Sequence, residues 1–424
     1  MKKIPLLFSV LFAVNLCLAA DSAAPKSLLI ENARVAVIGD SITEQRIYSK
    51  FIECYLLACT GRKDITVFQF GWSGERADGF AARLANDLAV FLPNVATTCY
   101  GMNDGSYQPY NEAIGKAYET NMGRVITGLK AAGVQHIAVG SPGGVDPDFF
   151  KGRLDGTIYN DNLAHLRDIA KKLASDNGLA FANVHDTMMT ALPKAKAALG
   201  ATYAPFGGDG FHPAPAGQLL MASAFLKALG LDGEIGTITV DLAGNKVTAS
   251  EGHQVVNHSS GIIDLESTRW PFCFDASTTD AGSTRSILAF TSFNDDLNRL
   301  TLKVSGLTAA KAKVTWGETT MEFTREQLEA GVNLAATYTT TPFDASFKTL
   351  MDAVAVKEAY ETTAIKSLVT NFRMFAEDAK TDAEFGAALD TIRKKVGSKH
   401  AQLDASVRGH LKPVKHSIKV EPIQ

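Results

Sequence analysis

Val35-Ala36-Val37-Ile38-Gly39-Asp40-Ser41-Ile42-Thr43 is the stretch that decides the fold. Four consecutive apolar residues, three of them Val or Ile, suit a strand of a parallel sheet covered on both faces. Gly39 permits a sharp turn as the strand ends. Ser41 then falls just outside the strand's carboxyl end, where open α/β sheets place their ligands. An alcohol there is a poor nucleophile until a base takes its proton. Gly-Asp-Ser alone reads equally as a turn and a helix N-cap. The partners further along the chain decide between the two.

From residue 34 to about residue 230 strand-like runs alternate with helical patterns. The strand-like runs are 34–38, 65–70, 95–100, 136–140 and 180–184; the helical patterns are 47–59, 77–92, 113–132, 160–176 and 215–229. Alternation of this kind implies a parallel sheet with helices on both faces. Right-handed crossovers place all five strand ends on one edge, which makes the residues just after them candidates for chemistry.

Gly71-Trp72-Ser73-Gly74-Glu75 follows the second run, and its glycines let backbone N–H groups face a cleft. Gly101-Met102-Asn103-Asp104-Gly105 follows the third and offers the amide of Asn103 at the same edge. Ser141-Pro142-Gly143-Gly144-Val145-Asp146 follows the fourth, a loop with the reach to line a cleft but no assigned role. Gly207-Gly208-Asp209-Gly210-Phe211-His212-Pro213 follows the fifth. In that glycine-rich turn the Asp209 carboxylate can reach the His212 imidazole, set its tautomer and stabilise the imidazolium.

Together these four blocks resemble the SGNH hydrolases, the GDSL esterase and lipase superfamily. Gly39-Asp40-Ser41, Ser73-Gly74, Gly101-Met102-Asn103-Asp104 and Asp209-Gly210-Phe211-His212 match the family's Ser, Gly, Asn and His blocks in order. Gln69-Phe70 departs from the Asn-x that many members carry before the glycine block. The resemblance covers about residues 30–230 and implies a three-layer α/β/α, flavodoxin-like domain. It implies that Ser41 is the nucleophile, His212 the base and Asp209 its orienting carboxylate. It implies an oxyanion hole of the Ser41 and Gly74 backbone N–H groups with the Asn103 side chain. Asp40 and Asp104 read as structural loop residues. The mechanism calls for no metal and no organic cofactor.

The remaining features bound the class. The chain has 424 residues, 46% hydrophobic and 21% charged, with a net charge of -3, which gives no reason to expect nucleic acid as a partner. Lys2 and Lys3 precede an apolar run and a small-residue zone ending at Ala19-Ala20, so residues 1–20 are expected to be a cleaved signal peptide and the protein secreted or periplasmic. No later run is long enough for stable membrane insertion. Cys54, Cys59, Cys99 and Cys273 lack metal-site spacing and read as buried thiols.

Beyond residue 231 the pattern becomes β-rich. A hairpin is expected over 237–249, with further strands at 261–265, 286–291, 300–304, 313–316 and 320–323. Short strands with turns between them suggest a β-sandwich-like accessory module over 231–343. A helical C-terminal segment follows over 344–424, with one long helix to about Ala376 and a second over 382–395. Lys412, Lys415, His416 and Lys419 read as a solvated basic tail. The expected substrate is a carboxylic ester, with an acylated glycan favoured and carbohydrate O-acetylesterase the favoured activity. A lipase, arylesterase or thioesterase for longer acyl chains is the rival enzyme, and a non-catalytic glycan-binding protein the rival from another class.

Overall fold

The computed structural model describes residues 27–150 and 154–423, so the leader assigned to residues 1–20 lies outside the described residues. Five parallel strands form the first sheet: β1 Arg34–Gly39, β2 Thr66–Gln69, β3 Val95–Cys99, β4 His136–Gly140 and β5 Ala180–Ala182. Their spatial order is β2-β1-β3-β4-β5. The chain leaves β1 for one side and returns to the other, so a topological switch point lies between β1 and β3. Side chains of β1 alternate between two cores. Val35 and Val37 pack with Leu220 and Phe225 on one face, Ala36 and Ile38 with Phe80 and Met122 on the other. Helices on both faces explain why β1 reads as a continuous apolar run.

Nine more strands follow: β6 Glu234–Asp241, β7 Lys246–Ala249, β8 His253–Ser259, β9 Ile262–Ser267, β10 Arg299–Ser305, β11 Lys311–Trp316, β12 Thr319–Thr324, β13 Val332–Asn333 and β14 Val414–Ile423. They form a four-stranded sheet, β13-β10-β6-β7, and a five-stranded sheet, β12-β11-β14-β9-β8. The β6–β10 pair is parallel; the other pairs in these two sheets are antiparallel.

The expected strand at 286–291 belongs to a 3₁₀ helix, Thr284–Phe290. Asp275 starts it by accepting from the Thr284 backbone N–H at 3.0 Å and hydroxyl at 2.8 Å. The expected helix to residue 376 ends at Ser367 and gives way to a 3₁₀ segment, Val369–Phe375, while the next helix runs over Ala383–Gly409, well past 395. The basic tail is not a solvated end. Val414, His416, Ile418 and Val420 point inward and the lysines between them face outward, as a half-buried strand requires. The division at 343/344 therefore does not hold, because β14 lies between β11 and β9.

The C-terminal helices close the open edge of the first sheet. β2 is an edge strand, and its outward backbone groups are met by side chains. Arg408 donates to the Ile65 carbonyl at 3.1 Å, Lys357 to the Val67 carbonyl at 2.7 Å, and the Gln69 N–H donates to Glu361 at 2.9 Å. Lys357 is fully buried and also pairs with Glu361 at 2.6 Å and Glu53 at 3.0 Å. Edge groups buried without such partners would destabilise the fold.

Candidate active site

β1 ends where a side chain cannot fit. A Cβ on Gly39 would stand 2.1 Å from the Thr43 hydroxyl and 2.8 Å from the Cys99 carbonyl, so the turn demands glycine. Asp40 caps the short helix Ser41–Glu44, accepting from the Ile42 N–H at 3.0 Å. Burial pushes the Asp40 carboxyl up to about 7, and the neighbouring Asp104 and Glu75 carboxylates add to that shift against the Ile42 hydrogen bond. Ser41 is the first residue of the capped turn and faces a cleft.

The loop after β5 and its following helix brings His212 to Ser41. His212 Nε2 stands 2.8 Å from the Ser41 Oγ, and His212 Nδ1 stands 2.8 Å from Asp209 Oδ2. Asp209 Oδ1 accepts from the backbone N–H groups of Phe211 at 3.1 Å and His212 at 3.0 Å. A carboxylate on Nδ1 fixes the proton there and leaves Nε2 to accept from Ser41. Partial burial acts to raise the Asp209 pKa, but the hydrogen bonds from His212 and Phe211 outweigh it and hold the carboxyl below its ordinary range. The loop after β4 steadies this turn. The Asp146 N–H donates to the Gly210 carbonyl at 2.8 Å, and the buried Asp146 carboxylate pairs with Lys196 at 2.8 Å. That is the role the sequence left open for 141–146.

Opposite the histidine lie the loops after β2 and β3. Gly74 has φ +74°, a conformation that side chains resist, and a Cβ there would meet nothing within 4 Å. Among the described residues, the Ser41 and Gly74 N–H groups have no acceptor within the protein, and both residues line the cleft. The Asn103 amide nitrogen donates to the Glu75 carbonyl at 3.1 Å and approaches Asp40 Oδ2 at 3.5 Å. Asp104 accepts from Gly101 N–H and Ala77 N–H, each at 3.0 Å, and so ties its loop to the start of the Ala77–Leu88 helix. Burial pushes its carboxyl up to about 6 despite those bonds.

The cleft has a volume of about 530 Å³ and is lined by Ser41, Ser73, Gly74, Asn103, Tyr107, Phe211 and His212. The structure thus brings Ser41, Gly74, Asn103 and His212 to one place, with Asp209 behind His212. Two lining residues went unread. Tyr107 stands outside any motif, and Phe211 occupies a variable position of the Asp-x-x-His block. Among the described residues, no three His, Cys, Asp or Glu side chains converge as a metal site would need. Cys54, Cys59, Cys99 and Cys273 are free thiols, and burial pushes all four up. No described helix is long and apolar enough to cross a membrane.

Residues 37–220 match the GDSL-like Lipase/Acylhydrolase family. Over 95% of its length the chain is similar in fold to 99% of a gut microbial diltiazem-metabolizing enzyme, at 21% identity and a TM-score of 0.72. An acetylxylan esterase from Geobacillus stearothermophilus matches 48% of this chain with 96% of its own, at 21% identity and a TM-score of 0.39. No curated protein matches the chain.

Proposed function

We propose that this chain, whose residues 37–220 belong to the GDSL-like lipase and acylhydrolase family, hydrolyses carboxylic esters through an acyl-enzyme on Ser41. The observation that carries this reading is the unbroken contact from Ser41 Oγ through His212 to Asp209, 2.8 Å at each step. His212 Nε2 takes the Ser41 proton as the oxygen attacks the ester carbonyl. Asp209 holds the resulting imidazolium in place. The tetrahedral intermediate collapses, and the leaving alcohol takes the proton back from His212. Water then attacks the acyl carbon, gives its proton to His212, and the carboxylic acid departs as Ser41 regains that proton. The N–H groups of Ser41 and Gly74, with the Asn103 amide, stabilise the oxyanion in both halves.

The same cleft supports a small acyl group on a ring-shaped alcohol, for which an O-acetylated glycan is the proposed substrate. None of its seven lining residues is aliphatic, so the apolar wall of the cleft is the short aromatic pair Tyr107 and Phe211. Tyr107, half-buried, offers the ring on which the C–H face of a sugar can rest, with the buried Phe211 ring behind it at a centroid distance of 5.8 Å. With the leader of residues 1–20, the enzyme acts outside the cytoplasm.

The test is hydrolysis of p-nitrophenyl acetate, butyrate and octanoate by the mature protein beside Ser41→Ala, with a panel of acetylated glycans. Turnover by wild type alone, falling beyond butyrate, is the expected result. Equal inactivity of both proteins on every ester would overturn the esterase reading, and a preference for octanoate would overturn the small acyl group.

A further inference from the structure

The loop that carries Gly74 is anchored at both ends, and one anchor comes from the far end of the chain. At its downstream end Glu75 is held within the α/β domain. Arg83 donates to it at 2.7 and 2.9 Å and the Tyr100 hydroxyl at 2.7 Å, all of them buried. At its upstream end Ser73 donates both its N–H and its hydroxyl to Glu44 Oε2, the hydroxyl at 2.6 Å. Glu44 closes the short helix that begins with Ser41. Its other oxygen, Oε1, accepts from Lys366 Nζ at 2.6 Å. Lys366 lies in the last turn of the Asp344–Ser367 helix, and its ammonium also stands 5.0 Å from the centre of the Trp72 ring.

A second link runs beside the first. The Thr362 hydroxyl, one turn earlier on that helix, shares its proton between the Glu358 carbonyl at 3.1 Å and Gln69 Oε1 at 3.2 Å, and Gln69 Nε2 donates to the Thr43 carbonyl at 2.7 Å. Gln69 is the residue that departs from the family's usual Asn-x. Here it connects the C-terminal helix to the turn that presents Ser41. Both links reach the Ser41–Glu44 turn, and one continues to the residue before Gly74.

We propose that Lys366 is a positioning residue for ester hydrolysis: it aims Glu44 so that Ser73 is held and the Gly74 N–H faces the developing oxyanion. This rests on the reading of Gly74 as an oxyanion donor. The physical case is one of preorganisation. A backbone donor stabilises a transition state only where it already points at the site of new charge. A glycine at positive φ between two turns has no side chain to pin it, so its neighbours must do so. Lys366 and Glu44 are partly shielded, with side chains 27% and 19% exposed, where an ion pair fixes geometry better than on an open surface. The C-terminal helix is then part of the catalytic apparatus, although its residues line none of the cleft.

The experiment uses the full mature chain with p-nitrophenyl acetate, measuring kcat, KM and the thermal melt of wild type, Ser41→Ala, Lys366→Met, Lys366→Arg, Glu44→Ala and Glu44→Ala/Lys366→Met. Loss of a positioned donor predicts a kcat about tenfold lower in Lys366→Met with KM within about twofold. Lys366→Arg should recover most of the rate. The double variant should be no slower than Glu44→Ala, because the lysine acts through that carboxylate. A wild-type kcat in Lys366→Met, losses that multiply in the double variant, or no recovery by arginine would overturn the proposal. Should Lys366→Met fail to fold, Glu44→Ala decides: a lowered kcat at unchanged KM supports the link, and an unchanged kcat overturns it. Turnover that vanishes in Ser41→Ala sustains the esterase reading whatever Lys366 does, whereas absent wild-type turnover overturns both.

Discussion

Tyr107 donates its hydroxyl proton to the Asn103 side-chain oxygen at 3.0 Å, from a backbone with φ +55°. The Glu75 carbonyl, which can only accept, takes the Asn103 nitrogen at 3.1 Å and so leaves the amide oxygen to face the phenol. The Tyr107 ring stacks on Tyr159 at 5.2 Å, so the donor is itself held. Non-glycine residues in the left-handed region are strained, and such strain gathers at functional sites.

Removing that hydroxyl should loosen Asn103 without emptying the cleft. Tyr107→Phe is expected to lower kcat by about tenfold, a fraction of the 10²–10³ that follows loss of a whole oxyanion donor. KM should hardly move, whereas Tyr107→Ala should raise KM as well. Steady-state kinetics on p-nitrophenyl acetate check this; an unchanged kcat in Tyr107→Phe would sink the idea.

Asp209→Asn should keep the fold and lose the chemistry. An amide facing Nδ1 can present a donor there and so favour the wrong histidine tautomer. By analogy with serine-protease triads, kcat should fall by roughly 10²–10⁴. Melting temperature should stay near wild type, because the turn is exposed and its backbone N–H groups can still meet the side-chain oxygen. A rate within threefold (roughly 1 kcal/mol or less in barrier) would remove Asp209 from the mechanism.

A buried chain of hydrogen bonds makes the β region sensitive to acid. Trp316 Nε1 donates to His416 Nδ1 at 3.1 Å, His416 Nε2 lies 2.9 Å from the Ser267 hydroxyl, and His253 Nδ1 lies 2.8 Å from the same hydroxyl. His253 Nε2 donates to the Ile235 carbonyl at 3.0 Å. Only neutral rings fit this order of donors. Burial, then the positive charge that His253 would carry once protonated, lowers the His416 pKa to about 4, below its unfolded value. The unfolded chain therefore binds the proton first, and stability present above about pH 6.5 drains away as pH falls towards 4. Between pH 7 and pH 5 this one group should remove about 2 kcal/mol. Thermal melts of wild type and His416→Leu at the two pH values check it. The variant should melt lower at pH 7 yet lose less on acidification; equal losses would contradict the assignment.

Cutting the chain after Phe343 should not yield a stable esterase. The cut strips Lys357, Glu361 and Arg408 from the β2 edge and removes β14 from the middle of its sheet. Exposed edge strands template aggregation. Size-exclusion of the 27–343 fragment should show aggregate, and a monodisperse fragment that melts cooperatively would be contrary to this account.

Lys357→Met should be the most destabilising single change at that edge. It takes the ammonium from the buried Glu53 and leaves Glu361 with only His400 at 2.7 Å and the Gln69 N–H. Breaking one partner of a buried ion pair typically costs about 3–5 kcal/mol. Urea denaturation measures it, and a loss below about 1 kcal/mol would mean that the carboxylates find other partners.

Much of the α/β half was legible in the chain because its signals are local. An apolar run ending in Gly39 marks a doubly covered strand. Alternating strand and helix patterns imply a parallel sheet, and a parallel sheet places its loops on one edge. Asp209 and His212 are three residues apart, so one turn suffices to join them. The β half was less legible because short strands and 3₁₀ turns share the same residues, as at Thr284–Phe290. The alternation in Val414-Lys415-His416-Ser417-Ile418-Lys419-Val420 fits a half-buried strand, but with two lysines in seven residues it fits a solvated basic end as well.

The sequence by itself determined where Ser41, Gly74 and His212 stand along the chain. Each is written in a few adjacent residues at a strand end. Only the tertiary structure decided what holds them. Lys366 lies 322 residues from Glu44 and Glu361 lies 292 from Gln69. No local pattern encodes such pairs, because an ion pair or an edge hydrogen bond depends on distance in space, and spacing along the chain carries no information about it once the chain has folded back.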